Sequence, residues 1–189
     1  MDMELTYIYH SGFALSGDGF TVIMDYYRDS EDGQAQADLN RLMDGTFSNQ
    51  EAGMPEGTVH SELLRRPGKL YVLASHFHPD HFNKEVLQWR EQRPDIIYIF
   101  SKDILRHRRA QKEDAVWLKK GEEYKDETLS VRAFGSTDVG VSFLLQTGGK
   151  KIFHAGDLNN WHWMDESTEA ERKGAETVSY THLTLPTIL

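Results

Sequence analysis

A short apolar strand that ends abruptly in histidines constrains this chain of 189 residues more than any other feature. Residues 69–74 form an apolar run that is typical of a buried strand. Directly after it, His76, His78, Asp80 and His81 fall within six positions. Imidazole and carboxylate groups are ligands of zinc and iron, and a catalytic metal site keeps one position open for water. The pattern therefore predicts a metal site at the end of a buried strand, rather than a chance polar turn.

The charge and the cysteine content narrow the chemistry further. The net charge of −9 argues against nucleic acid as a partner, because phosphate backbones attract clustered lysine and arginine. The densest basic stretch, residues 106–109, is short and is expected to be a solvated helix face. The chain has no cysteine, which excludes disulfides and thiolate-bound zinc. Any metal must therefore be held by histidine, aspartate or glutamate.

No apolar run approaches the ~20 residues that a membrane-spanning helix needs. The acidic opening at residues 1–4 lacks the basic and apolar regions of a secretory signal. We therefore expect a cytoplasmic protein, with neither nucleic acid nor membrane as a partner. The sequence makes no prediction about the oligomeric state.

The order of the expected elements favours sheets covered by helices. Asn83 and Ser101 are expected to cap the helices that follow them. Further helices are expected from Trp163 onward and within the long polar connection, near residues 37–42. Strands are expected at residues 5–9, 20–24, 69–74, 96–100, 115–118, 129–134, 139–146 and 151–154.

The geometry of an extended chain suggests how the histidine cluster divides. Residues two apart in a strand point the same way, so His76 and His78 can face one ion. Pro79 breaks the strand, which allows Asp80 and His81 to turn toward a second ion or a bound water.

The segment from Ser75 to His81 matches the His-x-His-x-Asp-His signature of the metallo-β-lactamase fold superfamily. Gly156-Asp157 at the end of a short strand resembles the later motif of that family. The opening at residues 9–13, with residues 23–25, resembles the branch that contains ascorbate-phosphate lactonase-like hydrolases. The resemblance implies an α/β fold of four layers (αββα), in which two sheets pack face to face and helices flank each outer side.

The resemblance also implies a site and an activity. His76 and His78 would hold a first metal, Asp80 and His81 a second, and Asp157 would lie between them. The implied cofactor is Zn²⁺, as two ions, with Mn²⁺ or Fe²⁺ as alternatives. The implied enzyme is a metal-dependent hydrolase that uses a metal-activated water on a small ester, lactone or phosphodiester. Asp80 would act as the catalytic residue that orients the nucleophile or carries its proton.

Two departures from the family pattern leave alternatives open. The family normally carries a histidine between the two motifs, and Ser136 stands in its place here. Asp138, Thr137 or His154 could complete the first metal sphere. The family's final histidine is expected beyond the end of this sequence. A catalytically impaired metal-binding relic and a mononuclear iron oxygenase are therefore the alternative functions.

Several residues carry weaker expectations. His10 could line the pocket or hold a turn, His162 could contact substrate or pack internally, and Asp157 alone could be a helix cap. Residues 178–189 lack charged side chains and resemble one reading frame of a common sequencing adapter. We therefore expect an incomplete domain over residues 1–177, followed by a non-native tail.

Overall fold

The computed structural model describes residues 2–29 and 58–158, and this part of the chain contains two sheets. The six-stranded sheet has the order β1 (Glu4–Tyr9), β2 (Gly12–Gly17), β3 (Phe20–Met24), β4 (Lys69–Ala74), β5 (Ile97–Ser101) and β6 (Val116–Leu118). The four-stranded sheet contains β7 (Glu123–Lys125), β8 (Ser130–Gly135), β9 (Val141–Thr147) and β10 (Lys150–His154), in the order β10-β9-β8-β7.

Strand direction places one end of the first sheet at the expected site. The strands β1, β2 and β3 form two antiparallel hairpins, whereas β3, β4, β5 and β6 run parallel. The parallel strands β3 and β4 are buried on both faces, which explains their nearly continuous apolar sequence. Because Met24 pairs with Leu73, the carboxyl ends of these two strands coincide.

Short helices cover the outer face of the six-stranded sheet. They are α1 (Thr58–Ser61), α2 (Lys102–Arg106) and the 3₁₀ helices Leu63–Arg65, Lys84–Glu91 and Lys112–Asp114. Val59, Trp89 and Ile104 pack from these helices into one buried cluster with the sheet. Asn83 caps its helix as expected, since its side chain accepts a hydrogen bond from the backbone N–H of Glu85 at 2.9 Å. Ser101 precedes α2 but makes no side-chain cap bond, so that part of the expectation was wrong.

A second buried cluster joins the two sheets face to face. Val22 and Tyr71 from the first sheet share it with Val131 and Phe143 from the second. The expected sandwich of two sheets is therefore confirmed, and α/β is the correct fold class. The helices expected near residues 37–42 and from Trp163, and the tail at residues 178–189, lie outside the described residues. The domain bounds stay a prediction for the same reason.

Two strands were missed by the sequence analysis. The strand β2 is rich in small residues and lies beside apolar neighbours, and β7 has only three residues. Within the described ranges, no helix has both the length and the apolar character that crossing a bilayer requires.

Candidate metal centre

Strand ends from both sheets bring two groups of metal-binding side chains together. In each group, one donor atom per residue lies within 4.8 Å of every other. The first group contains His76, His78, Asp138 and Asp157, and the second contains His10, Asp80 and His81. The structure thus brings together all five residues that the sequence analysis assigned to the metals. It also places Asp138, one of the alternative ligands, in the first group and His10 in the second.

Asp157 lies between the two groups. Its Oδ1 is 3.1 Å from Nε2 of His81, and its Oδ2 is 3.5 Å from Nε2 of His76. One carboxylate therefore presents an oxygen to each group. The helix that Asp157 could alternatively cap lies outside the described residues, so the cap stays untested and the role of Asp157 as a metal ligand stays a prediction.

The structure distinguishes between the substitutes for the family's middle histidine. Asp138 joins the first group, with Oδ2 at 3.9 Å from Nδ1 of His78. Ser136 instead accepts a hydrogen bond from the backbone N–H of Asp138 at 3.3 Å. His154 is engaged elsewhere, with Nε2 at 2.8 Å from a carboxylate oxygen of Asp25. Of Asp138 and His154, Asp138 is the one that the fold places beside His76 and His78, and Thr137 stays an untested alternative.

Asp25 holds the centre together, and the sequence analysis gave it no role in the site. This fully buried carboxylate follows β3 directly and adopts a positive φ of 48°. Its Oδ1 accepts the backbone N–H of Ser75 at 2.7 Å. Its Oδ2 accepts the Ser75 hydroxyl at 2.6 Å, His81 Nδ1 at 2.8 Å and His154 Nε2 at 2.8 Å. The signal in the sequence was an aspartate directly after the apolar strand at residues 20–24, although the sequence does not show which strand β3 pairs with.

These bonds fix which nitrogen of each histidine is free. In its neutral form, His81 donates its Nδ1–H to the Asp25 carboxylate, so Nε2 carries the lone pair. The Ser75 hydroxyl already donates to Asp25, so its oxygen accepts Nδ1–H of His76 at 3.0 Å. In both rings the Nε2 lone pair therefore points toward Asp157.

The pKa values of the two buried histidines, His76 and His81, shift in opposite directions. Burial and the nearby His81 lower the pKa of His76, which favours the neutral imidazole that binds metals. Burial also opposes charge on His81, but Asp25, Asp157 and Asp80 outweigh it and raise the pKa of His81. Burial by itself would raise the pKa of Asp25, yet His154 and His81 hold it well below its ordinary value. Asp25 is therefore an ionised acceptor at neutral pH.

A glycine permits the two sheets to close at this point. Gly140 precedes β9, has a φ of 75°, and lies so close to β4 that a Cβ atom would sit 2.2 Å from the Ser75 carbonyl oxygen. The backbone N–H of Val141 then donates to that same oxygen at 3.0 Å. This approach brings the loop that carries Asp138 next to His76.

The side chains present fit a divalent cation. Nε2 of His76 is buried and makes no hydrogen bond within the described part of the chain. Its lone pair faces the carboxylate of Asp157, which has no proton to donate to it when ionised. His76 and His81 are buried, whereas His78, Asp80 and Asp138 are about two-fifths exposed. Buried imidazoles on one wall and open carboxylates on the other match the ligands that zinc, manganese and iron bind. The centre therefore supports the use of divalent metal.

Comparison with known proteins agrees with this chemistry. The family model described as "Beta-lactamase superfamily domain" matches residues 4–174. No curated protein matches the chain significantly.

Solved structures share the fold at low identity. A novel metallo hydrolase from the hyperthermophilic archaeon Ignicoccus hospitalis is 18% identical, with 82% of this chain and 60% of that chain covered and a TM-score of 0.54. The diiron beta-hydroxylase CmlA from Streptomyces venezuelae is 17% identical, with coverage of 87% and 31% and a TM-score of 0.55. A possible metal-dependent hydrolase from Veillonella parvula is 14% identical, with coverage of 94% and 68% and a TM-score of 0.54. This chain thus spans less than two thirds of the first two proteins, and at these identities the likeness shows the fold alone.

Proposed function

Because this chain belongs to the beta-lactamase superfamily domain family, we propose that it is a metal-dependent hydrolase that acts on a small ester, lactone or phosphodiester. The observation that carries the proposal is the position of Asp157, which presents one carboxylate oxygen to each of two adjacent groups of donors. Two ions close enough to share one carboxylate are typical of hydrolytic sites that clamp an attacking and a leaving oxygen.

We assign the donors as follows. His76, His78 and Asp138 would hold a first ion, Asp80 and His81 a second, and Asp157 both. We propose Zn²⁺ as the ion, since imidazole and carboxylate donors suit it, with Mn²⁺ or Fe²⁺ as alternatives. When bound, divalent ions supply a water that ionises near neutral pH and a Lewis acid for the negative charge that develops on oxygen.

The protein's own groups would position the reaction. Asp25 and Ser75 hold His81 and His76 through Nδ1 and so keep both Nε2 atoms aimed at the centre. Asp80 is partly exposed, and its Oδ2 lies 3.7 Å from Nε2 of His81. From there its carboxylate can orient the nucleophile or accept its proton, which is the role we propose for it.

A cleft beside the centre supports a small-molecule substrate. It has a volume of about 390 Å³ and lies against β1, β2 and β10. Its wall combines His10 and His154 with the apolar side chains of Phe13, Ile152 and Phe153. This size and lining suit the apolar portion of a small substrate whose polar bond faces the metal ligands.

The experiment loads the purified 189-residue chain with Zn²⁺, Mn²⁺ or Fe²⁺ and measures bound metal together with hydrolysis of bis(p-nitrophenyl) phosphate, p-nitrophenyl acetate and a lactone panel. We expect about two ions and turnover of at least one substrate, with turnover lost in His78→Ala. His60→Gln is the matched control, because this histidine bonds Asp29 and Glu85 away from the centre. Stoichiometric metal without any turnover would instead favour a metal-binding relic.

A second candidate function rests on Asp138. His76, His78 and Asp138 form a set of two histidines and one carboxylate, which is the ligand set of mononuclear iron oxygenases. We propose this activity as the alternative to hydrolysis. Oxygen consumption by the Fe²⁺-loaded chain, without hydrolysis by any of the three metal forms, would favour it.

A further inference from the structure

We propose that His10 supplies a further donor to the second metal ion, beside Asp80, His81 and the shared Asp157. This inference rests on the proposed metal centre and concerns a residue of the first hairpin. His10 is 66 or more residues from every other proposed ligand in the sequence, so no motif contains it.

The distances place His10 at the right separation for a shared ion. Nε2 of His10 lies 3.8 Å from Oδ2 of Asp80, and Nε2 of His81 lies 3.7 Å from the same oxygen. Donor atoms about 2.1 Å from a tetrahedral zinc ion are about 3.4 Å apart. The three groups therefore surround a volume that needs only a small contraction to hold an ion.

The free nitrogen of His10 faces that volume. Nδ1 of His10 is engaged by the Ser11 hydroxyl at 3.0 Å. This contact leaves Nε2 for Asp80 and the proposed ion, as Asp25 leaves Nε2 of His81. Ser11 Oγ also lies 3.4 Å from Nε2 of His81, so one side chain touches both imidazoles.

The backbone at His10 is held in a conformation that suits glycine better. His10 occupies the turn between β1 and β2 with a φ of 54°, where a β-carbon is unfavourable. A glycine would relieve that strain, whereas it would provide no ligand. Strained residues of this kind concentrate at functional sites, where surrounding contacts compensate for the strain. The chain thus carries an imidazole at position 10, although glycine would make the turn more stable.

The test separates metal binding from stability and uses Zn²⁺ itself as the probe. Equilibrium dialysis of the 189-residue chain measures the dissociation constants of both ions, and urea unfolding in a chelator measures stability without metal. In His10→Gly we expect the second ion to bind at least ~100-fold more weakly, beyond the 10–100-fold effect typical of residues outside the ligand shell. The first ion should bind within about threefold of wild type, and metal-free stability should not fall.

His10→Asn is the second variant, because asparagine tolerates a positive φ but is too short to replace the imidazole. Arg108→Gly is the matched control, since exposed Arg108 has the same φ of 54° and lies away from both donor groups. That change should leave both zinc affinities unaltered. The intensity of Co²⁺ visible absorption gives an independent readout, and we expect the second equivalent to lose tetrahedral intensity only in the His10 variants.

The inference and the proposed function can fail separately. Unchanged second-ion affinity in both His10 variants would overturn the role of His10 while leaving the metal centre intact. Two ions in wild type, with loss of one in the variants but no turnover of any substrate, would support His10 and count against the hydrolase. A wild-type chain that binds no divalent ion would overturn both.

Discussion

Replacing Asp25 by asparagine tests how the buried carboxylate controls the metal ligands. The amide oxygen can still accept the Ser75 backbone N–H. The NH₂ group, however, then faces three groups that donate to Asp25 in the wild type, namely the Ser75 hydroxyl, Nδ1 of His81 and Nε2 of His154. His81 must then accept through Nδ1 and carry its proton on Nε2, the atom 3.1 Å from Asp157. The variant therefore turns a metal ligand into a hydrogen-bond donor without changing its size.

The magnitude follows from the bonds involved. A lost partner behind a metal-binding histidine weakens metal affinity by about 10–100-fold, or about 1.4–2.7 kcal/mol. Asp25 is fully buried and interacts with His81 and His154, so its neutralisation should also cost about 3 kcal/mol of unfolding free energy. Zinc affinity is measured by competition with a chromophoric chelator, and stability by urea unfolding of the metal-free chain.

Asp29→Asn is the matched control for Asp25→Asn. Asp29 is also buried, and it accepts hydrogen bonds from the Val59 backbone and from the backbone and Nδ1 of His60. Its loss should lower stability and leave zinc affinity unchanged. The reasoning fails if Asp25→Asn binds zinc within about threefold of wild type, or if Asp29→Asn weakens zinc binding equally.

Two further predictions concern the closure of the sheets and the acid response. Gly140→Ala should lower the free energy of unfolding by about 3 kcal/mol and weaken zinc binding, because the new Cβ would meet the Ser75 carbonyl oxygen. Gly149→Ala is the control, since its φ is 77° but its surroundings are open, and it should cost about 1 kcal/mol. Equal losses of the two variants in urea unfolding would refute this reasoning. Burial opposes the charge on Asp126, but the N–H groups of Leu129 and Thr128, with Tyr71 and Lys69, lower its pKa. Its stabilisation is therefore present above the unfolded pKa of about 4 and is lost as pH falls from there through the lower folded pKa. Asp126→Asn should therefore cost about 2 kcal/mol at pH 7 and progressively less below pH 4 in matched urea titrations.

The metal ligands could be predicted from the sequence where local pattern and chemistry coincide. His76, His78, Asp80 and His81 follow a strand whose apolar run reveals its burial, so both the place and the chemistry are visible in one segment. Asp157 required a second strand end and the resemblance to a known motif.

The rest of the centre depends on contacts that no local pattern encodes. Asp25 reaches the centre because β3 pairs in parallel with β4, and nothing in residues 20–25 states that pairing. His10 arrives through a hairpin whose second strand, β2, was not predicted, because its glycines, alanine and serine weaken the strand signal. Asp138 takes the place expected of a histidine because Gly140 lets its loop close onto β4.

The bond between Asp25 and His154 spans 129 positions of the chain. Nascent polypeptides that have not yet emerged beyond β10 consequently lack a partner for this carboxylate, however well the first sheet has formed. Cation capture should therefore be a late event in biosynthesis, after both halves of the sandwich have left the ribosome. Uptake of metal ions would then report that β3 and β10, which lie far apart in the sequence, have packed against each other at the centre.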